Sequence, residues 1–187
     1  MDLAIVIFLL GGLFLGWSLG SNDAANVFGT AVGTRMIRFK TAAIVCSLFI
    51  ILGAVISGSG TTETLGKLGA INALPGAFAA CVAAGLSVYI MTKFGLPVST
   101  TQAIVGAIVG WNLYTGSSTN IKVLFTILST WILCPIIAAL IAMLFFILTK
   151  KLLKNTTWHI LRLDAYTRTA LLIAGAFGAY SLGANNI

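Results

Sequence analysis

Six stretches of this chain are apolar for long enough to read as membrane-crossing helices: 3–20, 41–56, 74–92, 97–114, 121–148 and 170–183. Crossing about 30 Å of hydrocarbon takes roughly 20 apolar residues in a helix, the rod in which every backbone N–H and C=O finds a partner internally. A shorter, glycine-punctuated piece at 23–33 follows the first stretch. The fifth stretch is overlong and contains Pro135, which reads as a tilted or kinked helix. The opening stretch lacks a basic leader and runs into polar residues instead of a small-residue cleavage site, so it reads as a retained helix.

Composition agrees with lipid as the solvent. Apolar residues make up 59% of the 187 positions and charged residues 8%, with a mean hydropathy of +1.05. A soluble domain carries about 25% charged residues to cover its surface. The formal charge of +7 does not point to nucleic acid, because the basic residues sit at segment ends and no aromatic-basic interleaving occurs. Cys46, Cys81 and Cys134 lie inside apolar runs without metal-like spacing and read as small hydrophobes. His159, in a basic connection at 150–169, reads as a loop or interfacial histidine.

The basic residues also test the topology. If 3–33 crosses once and the next four stretches each cross once, Arg35, Arg38, Lys40, Lys93, Lys150, Lys151, Lys154, Arg162 and Arg168 share one side. Only Lys67 and Lys122 then fall on the other. Nine against two makes the first side cytoplasmic and the N-terminus external. A re-entrant 97–114 would instead split the basic residues between the two sides. The full crossing is therefore the better reading, with an irregular N-terminal end allowed.

Three polar clusters interrupt the apolar pattern. The first, Gly20-Ser21-Asn22-Asp23-Ala24-Ala25-Asn26, holds a carboxylate that needs a cation, a partner or a water-filled cavity in such surroundings. The glycine and the Ser-Asn-Asp run resemble a helix break followed by an N-cap, whose free N–H groups would suit an anion and whose unwound carbonyls would suit a cation. The alternative is Asp23 at a helix end in the headgroup region. The second cluster is Pro97-Val98-Ser99-Thr100-Thr101-Gln102. With Pro97 in the first turn of a helix, three hydroxyls would stand beside unpaired backbone donors, an anion cradle without fixed positive charge. The alternative there is helix packing by small hydroxylated residues. The third cluster, Gly183-Ala184-Asn185-Asn186-Ile187, repeats the glycine and the asparagine of the first in register. Five crossings separate the copies, so they would be inverted.

Together these motifs resemble the inorganic phosphate transporter (PiT) family, with its Gly-Ala-Asn-Asp-Val-Ala-Asn-type motif in each half and its Pro-Val-Ser-Thr-Thr-His-type motif. The resemblance implies symport of phosphate with sodium or protons at a site where two inverted repeats meet. It assigns Asp23, Ala24, Asn26, Ser99, Thr100, Thr101 and Asn186 to phosphate binding, and Asn22, Asp23, Gln102 and Asn185 to the metal. Gln102 stands where many members have histidine, Ile50 where many eukaryotic members have glutamate, and Asn186 where an aspartate is common. With titratable groups this scarce, sodium is favoured as the coupling ion and no organic cofactor is implied.

The expected fold is an all-α integral membrane protein, a polytopic helical bundle with discontinuous helices forming half of an inverted-repeat transporter. Residues 1–165 would be the first repeat, with the basic linker near 150–169, and 166–187 the first helix of a truncated second repeat. Expected partners are inorganic phosphate, sodium, the lipid bilayer, the second half of the transporter and, for the assembled protein, a homodimer; nucleic acid is not among them. Polar residues collected in clusters argue against a channel, which needs a continuous polar path. No nucleophile–base pair, metal-ligand spacing or phosphate-binding P-loop suggests an enzyme. A carrier of sulfate or another oxyanion, a proton-coupled phosphate carrier and a non-transporting assembly subunit are the remaining alternatives.

Overall fold

The computed structural model describes residues 3–69, 74–154 and 159–185. They form seven helices: α1 (Leu3–Gly33), α2 (Phe39–Ser57), α3 (Ser59–Leu68), α4 (Leu74–Lys93), α5 (Thr100–Thr115), α6 (Ile121–Lys154) and α7 (Ile160–Asn185). The six apolar stretches correspond to six of them; α3 was not anticipated. Four segments are long and apolar enough to cross a membrane: Ile5–Gly33, Phe39–Ser57, Leu74–Lys93 and Ile121–Lys154. Isoleucine, leucine and phenylalanine project from their outer surfaces, as they must against lipid tails; Leu13, Ile51 and Phe145 are all more than half exposed.

Side-chain contacts fix how the helices run. Gly11 of α1 lies against Phe78 and Cys81 of α4, and Phe14 lies against Gly85. Farther along, Asn22 bonds Thr92, so α1 and α4 are parallel. Gly76, near the start of α4, meets Trp111, near the end of α5, so these two are antiparallel. At 16 residues α5 is about 24 Å long, short of a full crossing by itself. The non-helical 94–99 makes up much of the rest, entering beside α4 before α5 begins. This is the irregular N-terminal end that the sequence allowed. The segment then emerges at the start of α6, where Asn120 N donates to Leu68 O.

The α7 helix antiparallels α1, with Phe28 against Gly175, and parallels α2. Its Arg168 guanidinium donates to the carbonyls of Arg35 and Met36, which puts the α1–α2 turn and the start of α7 at one end of the bundle. The nine basic residues grouped by the crossing count thus gather at that end.

One expectation is corrected: α1 runs from Leu3 to Gly33 without the break expected at 20–23. Ser21 turns its hydroxyl back to Ser18 O at 2.8 Å, and Asn22 spends its amide on a neighbouring segment instead of capping. Glycine at 20 permits a break but does not impose one. The discontinuity falls at Gly58, a helical-region residue (φ −76°, ψ −16°) at which α2 ends and α3 sets off. Within the basic stretch 150–169, residues 150–154 belong to the last turn of α6 and 160–169 to the start of α7.

Packing forms two cores. Phe28, Ala31, Ile37, Ala42, Cys46 and Ala179 join α1, α2 and α7. Leu68, Val105 and Ile108, flanked by Leu124 and Trp131, join α3, α5 and α6. The first core permits backbone contact: a Cβ on Gly53 would stand 2.0 Å from the Tyr180 carbonyl oxygen. Only small residues allow helices this close, and such contacts hold bundles together where lipid offers no hydrophobic drive.

Candidate functional site

The first two polar clusters, more than 70 residues apart in sequence, meet in space. The meeting is arranged by Asn22, buried in the α1–α4 groove. Its Nδ2 donates to Thr92 Oγ1 at 2.8 Å and to Leu96 O at 3.3 Å, and its Oδ1 accepts from Val98 N at 3.2 Å. One amide therefore meets both an acceptor, Leu96 O, and a donor, Val98 N, while the N–H groups of Phe94, Gly95 and Leu96 donate to carbonyls of α4. Asn22 was expected at the metal; the structure gives it the task of holding this loop.

With the loop pinned, α5 opens next to α1. Ser99 is the N-cap, accepting from Gln102 N at 3.3 Å, so the helix starts at Thr100 and not at Pro97 as the sequence suggested. Pro97 stays in the extended approach to the cap. Thr100, 3% exposed, donates its hydroxyl to Asp23 Oδ2. Asp23 thus has the partner that a carboxylate in an apolar helix requires.

An open cleft of about 810 Å³ lies over this junction, lined by Asp23, Asn26 and Val27 of α1, residues 97–99 with Thr101 and Gln102, and Gly178, Ser181, Leu182 and Asn185 of α7. Of the expected site residues, Asp23, Asn26, Ser99, Thr101, Gln102 and Asn185 share this cleft, and Thr100 stands directly behind it on Asp23. Ala24 does not: it packs into the α1–α2–α7 core. Asn186 lies outside the described residues. The lining offers a carboxylate, three side-chain amides and three hydroxyls, with no lysine or arginine among the described residues.

A second cavity of about 580 Å³ abuts the first and shares Thr101 and Asn185 with it. Its α1 wall is Gly12, Leu15, Gly16 and Leu19, nearer the helix start, so it lies toward the end of the bundle away from the basic residues. Thr61 and Thr62 of α3 line it, and Thr61 Oγ1 donates to Ala184 O at 3.2 Å. These α3 hydroxyls were missed because 58–64 is a run of glycine, serine and threonine with one glutamate, which reads as a connection.

Residues 19–183 match the family described as the phosphate transporter family. The chain belongs to that family. It is 38% identical over 166 residues to a candidate phosphate permease of Thermococcus kodakarensis, covering 83% of this chain and 41% of that protein. Over 148 residues it is 32% identical to the chloroplastic inorganic phosphate transporter 2-1 of Arabidopsis thaliana, covering 73% of this chain and 25% of the other. A solved structure titled as the sodium-dependent phosphate transporter superposes with a TM-score of 0.72 at 26% identity, covering 95% of this chain and 54% of that one. This member of the phosphate transporter family thus spans about two fifths of the length of the first curated relatives it matches. The all-α, multi-pass membrane fold read from the sequence is the fold of the solved relative.

Proposed function

We propose that this chain is one repeat, with the first helix of a second, of a secondary transporter that carries inorganic phosphate together with sodium, the two binding in the cleft over Asp23. The observation that carries this reading is the charge of the cleft. Among the described residues, a carboxylate lines it and no basic side chain does. Phosphate entering alone would meet Asp23 at close range, where like charges in a poorly screened cleft repel by several kcal/mol by rough Coulomb estimates. A cation between them reverses that balance. Asp23, Asn26, Gln102 and the nearby hydroxyls supply hard oxygen donors for a sodium ion, and the α5 N-terminus with Ser99 and Thr101 faces the anion. Neither ion is well accommodated without the other, which is the physical basis of obligatory coupling.

The adjoining cavities support an alternating-access cycle. One approaches Thr101 and Asn185 from the basic end of the bundle and the other from the opposite end, so small movements of this shared wall would open one and shut the other. The basic end is cytoplasmic in this reading, and an inverted second repeat completes the site.

The test is radiolabelled phosphate uptake into proteoliposomes holding this chain and a second repeat, with sodium and proton gradients imposed separately. Uptake driven by sodium is expected. Uptake that follows protons alone, or sulfate displacing phosphate at equal concentration, would overturn the assignment of the ion or of the substrate respectively.

A further inference from the structure

Helix α3 is held at its two ends by different parts of the bundle. Its carboxyl end belongs with α5 and α6. Leu68 is fully buried with Val105 and Ile108, and Asn120 N donates to Leu68 O at 2.9 Å. The next residue, Gly69, lies so near Asn112 that a Cβ would stand 2.2 Å from the amide nitrogen. The amino end of α3 instead follows α2, which is joined to α7 main chain to main chain at Gly53 and Gly183. Two side-chain ties to α7 flank the change of direction at Gly58. Before it, Ser57 Oγ stands 2.6 Å from Tyr180 Oη; after it, Thr61 Oγ1 donates to Ala184 O at 3.2 Å.

The second of these ties sits where the two cavities adjoin. Thr61, Thr62, Leu65 and Gly66 wall the second cavity, and Ala184 precedes Asn185, which borders both that cavity and the cleft. The cleft is the more open of the two, the second cavity the more enclosed. The α3 hydroxyls could serve a passing anion or could hold the wall. Their protons are spent on backbone carbonyls, Thr61 on Ala184 and Thr62 on Gly58 at 3.4 Å, which favours holding.

We propose that Thr61 is a positioning residue that fastens α3 to α7 and so keeps the second cavity shut while the cleft is open. When α5 and α6 shift relative to α2 and α7, α3 travels with α5 and α6, the chain bends at Gly58, and the Thr61–Ala184 bond is the contact that breaks. Its release widens the second cavity beside Asn185. One neutral hydrogen bond suits this duty, being weak enough to break in every cycle and strong enough to bias two populations severalfold. The proposal rests on the alternating-access reading of the two cavities and not on the identity of the substrate or of the coupling ion.

The experiment follows thiol labelling by a charged methanethiosulfonate in the transporter assembled from this chain and a cysteine-free second repeat, purified in detergent. With Cys46 and Cys134 replaced by alanine, Cys81 reports from the second cavity, which it lines. With all three cysteines replaced, Ser181→Cys reports from the cleft. Thr61→Val should speed labelling of Cys81 by roughly three- to tenfold, the population shift that one neutral hydrogen bond is worth, without speeding labelling at Ser181→Cys. Thr61→Ser, which restores the hydroxyl, should return Cys81 to the parent rate. Thr62→Val, on the same wall but with its hydroxyl bonded at the α2–α3 joint instead of to α7, should leave that rate unchanged. Neither reporter depends on transport, so the result stands whatever ion or oxyanion is carried. An unchanged Cys81 rate in Thr61→Val overturns the proposal. Acceleration at both reporters, or an equal effect of Thr62→Val, also overturns it, since either would mean general loosening of the wall.

Discussion

Gly183 sits directly on the backbone of Ile50: a Cβ added to it would stand 2.0 Å from the Ile50 carbonyl oxygen. Tyr180 faces Gly53 in the same contact, with its hydroxyl 2.6 Å from Ser57 Oγ. Helices α2 and α7 are thus joined main chain to main chain, and no rotamer change can make room for a methyl group. Gly183→Ala should separate them and lower stability by about 1–3 kcal/mol, the usual cost of overpacking, or more. Gly29→Ala, on an open stretch of α1, should do the opposite through its better helix propensity, by up to about 1 kcal/mol. Thermal unfolding in detergent distinguishes the two signs. An unshifted midpoint for Gly183→Ala would mean that α2 and α7 are not in backbone contact.

Asn22 makes a different kind of connection. Its amide serves Thr92, Leu96 and Val98 at once. Thr92 Oγ1 also donates to Val88 O, so Asn22→Ala should take a partner chiefly from Leu96 O and Val98 N, at roughly 1–3 kcal/mol for a buried unmet partner. Hydrogen exchange at Val98 should quicken while exchange within α6, which Asn22 does not touch, stays slow. Asn22→Asp removes the donor to Leu96 O and so cannot restore the tie. Equal protection of Val98 in the parent and in Asn22→Ala would show that the loop is held by something else.

The meeting of the first two polar clusters was legible through the family resemblance, which assigns Asp23 and Ser99–Thr101 to one site. The residues alone asked only that Asp23 find a cation, a partner or a water-filled cavity, and Thr100 is the partner. The apolar stretches mapped onto helices because lipid leaves the backbone no other solution. Helix α3 was hidden because its Gly-Ser-Thr composition favours turns locally, and its helical form comes with packing on α6 and α7. The break wrongly placed at Gly20 shows the same effect in reverse. Serine and asparagine weaken a helix when their side chains compete for its backbone, and Asn22 is occupied elsewhere; a single glycine costs only about 1 kcal/mol and does not by itself break the helix. That bond spans 70 residues of sequence, and no local signal announces it.

Asp23 and Thr100 give the coupling reading its sharpest test. In the assembled transporter, Asp23→Asn removes the charge that attracts the cation and should abolish the dependence of phosphate uptake on sodium. Thr100→Val keeps the charge but removes the hydroxyl that orients the carboxylate. A hydrogen bond to a charged group is worth about 1.5–3 kcal/mol, so half-saturation by sodium should move up roughly tenfold or more. The separation matters: the first variant loses coupling, the second retains it at higher sodium. Sodium dependence surviving in Asp23→Asn would remove this carboxylate from the cation site.

The arrangement of ends can be checked without any transport measurement. Arg168 reaches the carbonyls of Arg35 and Met36, so a cysteine pair at Met36 and Arg168 should cross-link in membranes after Cys46, Cys81 and Cys134 are replaced by alanine. Because α4 parallels α1 and α5 returns beside it, single cysteines at Lys93 and Lys154 should share the accessibility of that pair to an impermeant thiol reagent. A cysteine at Lys122, which follows the end of α5, should label from the opposite side. In sealed cells the first group should be protected and the last labelled, if the basic end is cytoplasmic. Labelling of Lys122→Cys and Lys154→Cys from the same side would mean that α6 does not cross the membrane, and with it the directions deduced for α5 and α7 would fall.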